Sequence, residues 1–438
     1  MLFVVLVGLC LGELVAVVEI CRHGGRSPVR FVEEWDSLEV WPEGPGELLG
    51  SGMRQQFLLG SVMRKNYLGA GKLLSGVYNE SEIFVFSSDF NRTIMSAQSQ
   101  VQGLFPAGTG ERVSEKASRG SVLPPISVKD VERISDDLGA KALPYGTQLV
   151  PIHSDSTIRQ YALSSSRACP YYGSLISYKK QMSSEKEKIF DQYSDVIKTI
   201  QLELNYTEEE AQSQVSDIID SLISHNFAFG KLPLGFNSTF FTRGQRLQDR
   251  LKSFFDFEPD LLARFAGTAL LSLVVSDLSL AQKTGKKFFL YSAHDTTLSC
   301  ALAFLEQDYS VQPPFASSLI FELHKEEKGL FLEVKYNGKK LKVAGDLEKF
   351  SFERFQEYVG ERSIRDLVQR CKEVPSDEVL QGLEEEYVGL SEVKTQRNVL
   401  SGTFIAGVLV FASILTAVYS KFGRKSMLEE HLIPINPI

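Results

Sequence analysis

Three short runs in this chain, Leu14–Cys21 (LVAVVEIC), Ile83–Phe86 (IFVF) and Phe288–Tyr291 (FFLY), are apolar at successive rather than alternate positions. A strand with that pattern has to be covered on both faces, and a sheet held between helices does so. Pro259 through Thr284 is a long helical pattern with a first-turn proline; it stops at Gly285, directly before the third run. Helix followed by buried strand is the α/β signature. Ser318–His324 and Leu330–Tyr336, separated by Lys325–Gly329, read as a hairpin extending the sheet at an edge. The fold class expected is therefore α/β, with a central, mostly parallel sheet flanked by helices.

The middle of the chain has another character. Ser184–Leu204 puts Ile189, Tyr193, Val196, Ile197 and Ile200 on one helical face. Thr207–Glu210 is a capping box opening a helix with Ala211, Val215, Ile218, Ile219 and Leu222 inward. A mostly helical insertion is expected over residues 101–257, splitting one α/β domain into 13–100 and 258–375.

Both ends carry apolar segments. Residues 1–11 (MLFVVLVGLCL) have the length of a signal-peptide core and are too short to span a bilayer, so a signal is expected over residues 1–12. Val399–Ser420 is free of charge over a length of about 33 Å as a helix, enough to cross a bilayer. Lys421, Arg424 and Lys425 follow it, which makes 421–438 the cytosolic tail by the positive-inside rule. The expected layout is type I, with a juxtamembrane stalk over 376–398 and one C-terminal transmembrane helix. The lysosome, a digestive vacuole and the cell surface all fit that topology, and cleavage near Glu392–Arg397 would release the ectodomain. Sequons at Asn79, Asn205 and Asn237 suit a glycosylated luminal chain, whereas the fourth, Asn91, lies too close to the site described next to be modified.

Net charge is −8, without the broad basic face of a nucleic-acid binder. Five cysteines lack the paired spacing of a zinc site. Cys21 and Cys300 lie in apolar runs and read as buried thiols.

Each buried run ends in polar residues, and ligands of open α/β sheets bind at strand carboxyl ends. After the first comes Arg22-His23-Gly24-Gly25-Arg26-Ser27-Pro28. Guanidinium forks match phosphate oxygens, and a neutral imidazole nitrogen attacks phosphorus, so this loop points to phosphoryl transfer through a phosphohistidine. After the second run, Ser88-Asp89-Phe90-Asn91-Arg92-Thr93 offers a further arginine. After the third, Ser292-Ala293-His294-Asp295-Thr296-Thr297 sets an imidazole beside a carboxyl. An alkoxide leaves phosphorus badly, so Asp295 would act as general acid, protonated at an acidic working pH.

Arg22-His23-Gly24-x-Arg26-x-Pro28 resembles the signature of the histidine acid phosphatases. Trp41-Pro42-x-Gly44-x-Gly46-Glu47-Leu48 with Gly52-Met53, Ser88-Asp89-x-x-Arg92-Thr93, His294-Asp295, and Pro314-x-Ala316-Ser317 with Glu322-Leu323 are similar to that family's later blocks, in its order, from about Glu13 to Cys371. The resemblance implies a phosphoglycerate-mutase-like sheet, His23 as nucleophile, Asp295 as proton donor, and Arg22, Arg26, Arg92 and His294 as phosphate ligands. It also implies a disulfide between Cys169 and Cys371, no metal or other cofactor, and a small phosphomonoester as substrate. Gly25 stands where an acidic residue is frequent, and Glu47 replaces a frequent Gln. A homodimer is compatible with such a chain. Alternatives are a phytase-like or lysophosphatidic-acid-type phosphatase and, from another class, an inactive phosphatase-fold surface binding protein.

Overall fold

The computed structural model describes residues 12–383 except 70, 126–129, 155–157, 165–168, 182, 234 and 344–346. The expected signal, transmembrane helix and cytosolic tail lie outside the described residues, apart from Gly12. The chain divides into two compact units, Met1–Pro375 and Ser376–Ile438; all elements named below belong to the first.

Its sheet has the strand order β2-β3-β1-β4-β5-β6, with β7 on β5. The strands are β1 (Glu13–Arg22), β2 (Ile83–Ser87), β3 (Phe288–Ala293), β4 (Ser318–Glu326), β5 (Gly329–Tyr336), β6 (Lys339–Lys340) and β7 (Phe350–Ser351). The three apolar runs are adjacent and parallel, but β4 and all strands beyond it pair antiparallel. The sheet is thus mixed, not mostly parallel. The hairpin β4–β5 packs directly on β1, because β4 is as buried as the parallel strands.

Successive residues of β1 serve opposite faces. Ala16, Val18 and Ile20 join a core with Leu270, Leu271 and Val274, which belong to the helix α7 defined below, whereas Val17 and Cys21 join Met63, Val101 and Leu104. The second face is covered by α1 (Gly50–Tyr67) and α2 (Asn91–Leu104). These two helices touch backbone to backbone: a Cβ on Gly60 would lie 1.9 Å from Gln100 O.

Between α2 and α7 the chain is mainly helical. The pattern over Ser184–Leu204 is realised as two helices, α3 (Ser183–Gln192) and α4 (Ser194–Leu204), since Tyr193 leaves helical geometry with φ −117° and ψ 27°. In α5 (Glu208–Phe229), Thr207 Oγ1 accepts from Glu210 N while Glu210 Oε2 accepts from Thr207 N. Its five expected core residues are all buried. α6 (Ser238–Phe257) leads to α7 (Asp260–Thr284), and α8 (Asp295–Phe304) follows β3. Among the described residues α7 is the one helix long and apolar enough to cross a membrane, yet it is mostly buried in the protein's own core. Cys169 and Cys371 are disulfide-bonded, and Cys21 and Cys300 are buried free cysteines.

The α1–α2 contact predicts that Gly60→Ala lowers stability by about 1–3 kcal/mol through overpacking. Gly50→Ala on the same helix, with nothing within 4 Å of the added Cβ, is the control. Equal denaturation midpoints for the two variants would contradict the close approach.

Candidate active site

Register brings the three polar loops together. Arg22 is level with Ala293, and Ser87 with Ser292, so His23, Ser88 and His294 each stand one residue past aligned strand ends. His23 N donates to Ala293 O at 3.0 Å, and Ser88 N to Ser292 O at 3.0 Å. From below, Gln56 of α1 donates to Arg22 O (2.7 Å), and Ser96 of α2 accepts from Gly24 N (3.1 Å). Gly24 and Gly52 are required there, since a Cβ on Gly24 would meet Gly52 O at 2.3 Å. The motif's glycines therefore serve close packing of loop on helix.

His23 is 2% exposed. Its Nδ1 lies 2.8 Å from Gly24 O, and a carbonyl only accepts, so Nδ1 carries the proton and Nε2 keeps its lone pair. Burial first, and then Arg22, Arg26, His294 and Arg92, hold its pKa well below the usual histidine value. The neutral imidazole is thereby the favoured form. The His23 and His294 rings meet edge on at 5.7 Å, and Ser88 Oγ stands 2.9 Å from His294 Nε2.

Arg22 and Arg26 are buried, at 5% and 6% exposure. Arg22 reaches Pro313 O and the Asp295 carboxylate (3.3 Å), with its guanidinium 4.3 Å over the Phe315 ring. The Nε–H groups of Arg22 and Arg26 are buried without a hydrogen-bond partner in the protein. Buried donors left unmatched are costly, and together these two suit an anionic ligand. Arg92, half-buried, stacks at 4.6 Å over Phe90.

Asp295 opens α8. Its Oδ2 faces Arg22 Nη2 and Lys252 Nζ, each at 3.3 Å. Burial raises its pKa, but the cations Lys252, Arg22 and Arg26 outweigh burial and hold it below the usual carboxylate range. Those cations favour the ionised carboxylate, so service as an acid calls for a proton gained together with substrate. Position 25 also has a physical reason: a Cβ there would lie 1.9 Å from the Phe227 ring of α5.

Three contributors carry no motif. Lys252 comes from α6, and Asp220 of α5 pairs with Arg26. Asp36 is the third, accepting from Trp41 Nε1 (2.7 Å) and Ser221 Oγ (2.6 Å) and pairing with His225 Nε2 (2.8 Å), which fastens α5 to the loop after the first motif. Their partners lie up to 194 positions away in sequence, and a local pattern holds no sign of them. His225 is accordingly structural. His153 stacks on Phe84, and His324 stands 3.3 Å from Glu322. Among the described residues, the His and carboxylate group with metal-ligand spacing is Glu322, His324 and Glu333. Lys335 Nζ already stands 2.6 Å from Glu322 there.

The profile of the histidine phosphatase superfamily (branch 2) matches residues 13–337. The chain belongs to that family. It is 29% identical to human lysosomal acid phosphatase over 315 residues, covering 71% of this chain and 67% of the relative. Mouse prostatic acid phosphatase is 28% identical over 388 residues, covering 84% and 93%. Acid phosphatase 5 of Caenorhabditis elegans is 30% identical over 309 residues, which is 69% of this chain and 64%, slightly under two thirds, of that protein. Among solved structures, Hafnia alvei phytase in complex with myo-inositol hexakis sulphate shares the fold at TM-score 0.59 and 14% identity, covering 83% of this chain and 99% of that one.

The unmatched arginine donors predict anion-dependent stability. Inorganic phosphate at about 100 times its dissociation constant should add about 2.7 kcal/mol, and Arg22→Ala should remove most of that gain. Thermal unfolding with and without phosphate checks this, and an unchanged midpoint counts against the anion site.

Proposed function

We propose that this histidine phosphatase hydrolyses phosphate monoesters through a phosphohistidine on His23. The observation that carries the reading is a desolvated, neutral imidazole whose Nδ1–H is held by Gly24, beside two guanidiniums with unmatched donors. In the first step His23 Nε2 attacks phosphorus, the ester bond breaks, and Asp295 gives a proton to the departing oxygen. In the second, water attacks the phosphohistidine, Asp295 takes its proton, and phosphate leaves His23. Arg22, Arg26, Arg92 and His294 bind the phosphoryl oxygens through both steps.

The ionised Asp295 has to gain its proton on substrate binding. A phosphomonoester loses its second proton near pH ~6, so below that it arrives as a monoanion. Among the arginines its dianion is favoured, and the new negative charge beside Asp295 offsets Arg22 and Lys252 and raises the carboxyl's proton affinity. The substrate's own proton then serves the leaving group, and activity falls as pH rises through that second ionisation.

The phytase-like alternative has less support. The cavity beside Asp295 is lined by Asp249 and Asp256 with Lys252 as the one cation, a wall poorly suited to a polyanion. The inactive-protein alternative conflicts with a complete set of phosphate-facing residues. For location, we favour a luminal or extracellular domain on a type I membrane anchor, and the exposed side chains of Asn79, Asn205 and Asn237 support glycosylation there. Asn91 Nδ2 is engaged by Glu47 Oε1 at 3.0 Å, which favours its remaining unmodified.

His23→Ala should abolish turnover of 4-nitrophenyl phosphate, and loss of one arginine should lower the rate about 10²–10³-fold. Near-normal turnover by His23→Ala would sink the mechanism. Asp295→Asn should slow alkyl phosphates far more than 4-nitrophenyl phosphate, whose phenolate leaves without a proton. A pH profile of kcat/KM for two substrates with different second ionisations should show the descending limb move with the substrate. A limb fixed at one pH would refute proton delivery by the ester.

A further inference from the structure

The guanidinium of Arg26 is held from outside the sheet. Nη1 donates to Asp220 Oδ2 at 3.0 Å and Nη2 to Asp220 Oδ1 at 2.7 Å, a two-pronged pair. The other Nη1 hydrogen goes to Ser27 O at 2.9 Å, and Asp220 Oδ2 also accepts from Val29 N at 3.0 Å. Side-chain exposure is 7% for Arg26 and 19% for Asp220. Three of the five guanidinium hydrogens are thereby committed. The Nε–H, buried without a partner, and one Nη2 hydrogen remain.

Asp220 is itself firmly placed. The next residue on α5, Ser221, binds Asp36 and accepts from Trp35 Nε1 at 2.8 Å, and His225 one turn on also meets Asp36. A charge this well seated fixes a planar guanidinium in rotation as well as position. Burial alone would raise the Asp220 pKa, but Arg26 outweighs it and keeps the carboxyl low, so the pair stays ionised in acid.

We propose that Asp220 is a positioning residue of the phosphate site: it turns Arg26 so that the Nε–H and the free Nη2 hydrogen serve the phosphoryl oxygens. The inference rests on the phosphatase reading and adds a member from the helical segment to its machinery. The competing view, that the pair only docks α5, has its own example close by. Arg30 and Asp217 form an exposed pair at 3.2 Å between the same loop and helix.

A double-mutant cycle in the full chain separates the two views. Wild type, Asp220→Asn, Arg26→Ala and the double variant are assayed for kcat and KM on 4-nitrophenyl phosphate and titrated with inorganic phosphate by calorimetry, with Asp217→Asn as control. Asp220→Asn should lower kcat/KM about 10–100-fold, the scale of a misplaced catalytic contact. In the Arg26→Ala background it should change it by less than about twofold, because its effect passes through Arg26. Asp217→Asn should match wild type.

Equal losses from Asp220→Asn in both backgrounds, or no loss in the first, would overturn the proposal. If Asp220→Asn lacks the wild-type near-ultraviolet circular dichroism, Asp220→Ser, which keeps an acceptor for Val29 N–H, is read in the same cycle. A chain that binds phosphate without hydrolysing the ester would defeat the phosphatase reading, yet phosphate affinity would still report the Asp220–Arg26 coupling. Failure to bind phosphate at all would overturn both.

Discussion

Two guanidiniums buried in one loop repel each other and lose their hydration, and the architecture around them is arranged to offset that cost. At positions 22 and 26 neither residue exceeds 6% exposure. Each is answered by one carboxylate from a different helix, Asp295 at the start of α8 and Asp220 within α5. Removing one partner of a buried pair leaves an uncompensated charge, a defect of ~3–5 kcal/mol, and the Arg26–Asp220 pair thereby ties α5 to the first loop. Burial first, and then the positive field that remains, hold the His23 pKa well below the usual histidine value. Compensation of charge and readiness of the nucleophile are consequences of one arrangement.

That arrangement depends on strand order. With β3 between β2 and β1 and all three parallel, loops that are 65 or more residues apart in sequence end at one level. The helices beneath leave no room for side chains where they approach the first loop, which explains why the motif is spaced by glycines. Cys21 and Glu19, facing α2, are engaged there with Gln100, at 3.3 and 2.9 Å. Burial raises Glu19 to about 7 even so, which places a proton-bearing carboxyl under the site rather than in it.

Much of this was legible in the sequence, because the informative residues were local. Apolar runs at successive positions marked β1, β2 and β3; a capping box marked α5; His23 and His294 each stood directly after a strand. What was not legible came from pairing across long separations. Nothing near Asp220 or Lys252 distinguishes either from an ordinary charge on a solvated helix face. The mixed sheet escaped for a related reason: two-sided burial of β1 requires cover, but does not say whether the neighbouring strand is parallel. The cation that stands at Asp295 was not legible either, since Lys252 comes from the helical segment 43 positions away.

That last point changes how the two halves of the chain relate. A helical segment that only shaped the entrance could vary freely without touching the reaction. Here α5 supplies the counter-charge of Arg26, and α6 supplies a cation beside Asp295, the proposed proton donor. A change at Asp220 or Lys252 alters the field on Arg26 or Asp295, so the helical segment bears on the charge balance of the site itself and not only on its surroundings.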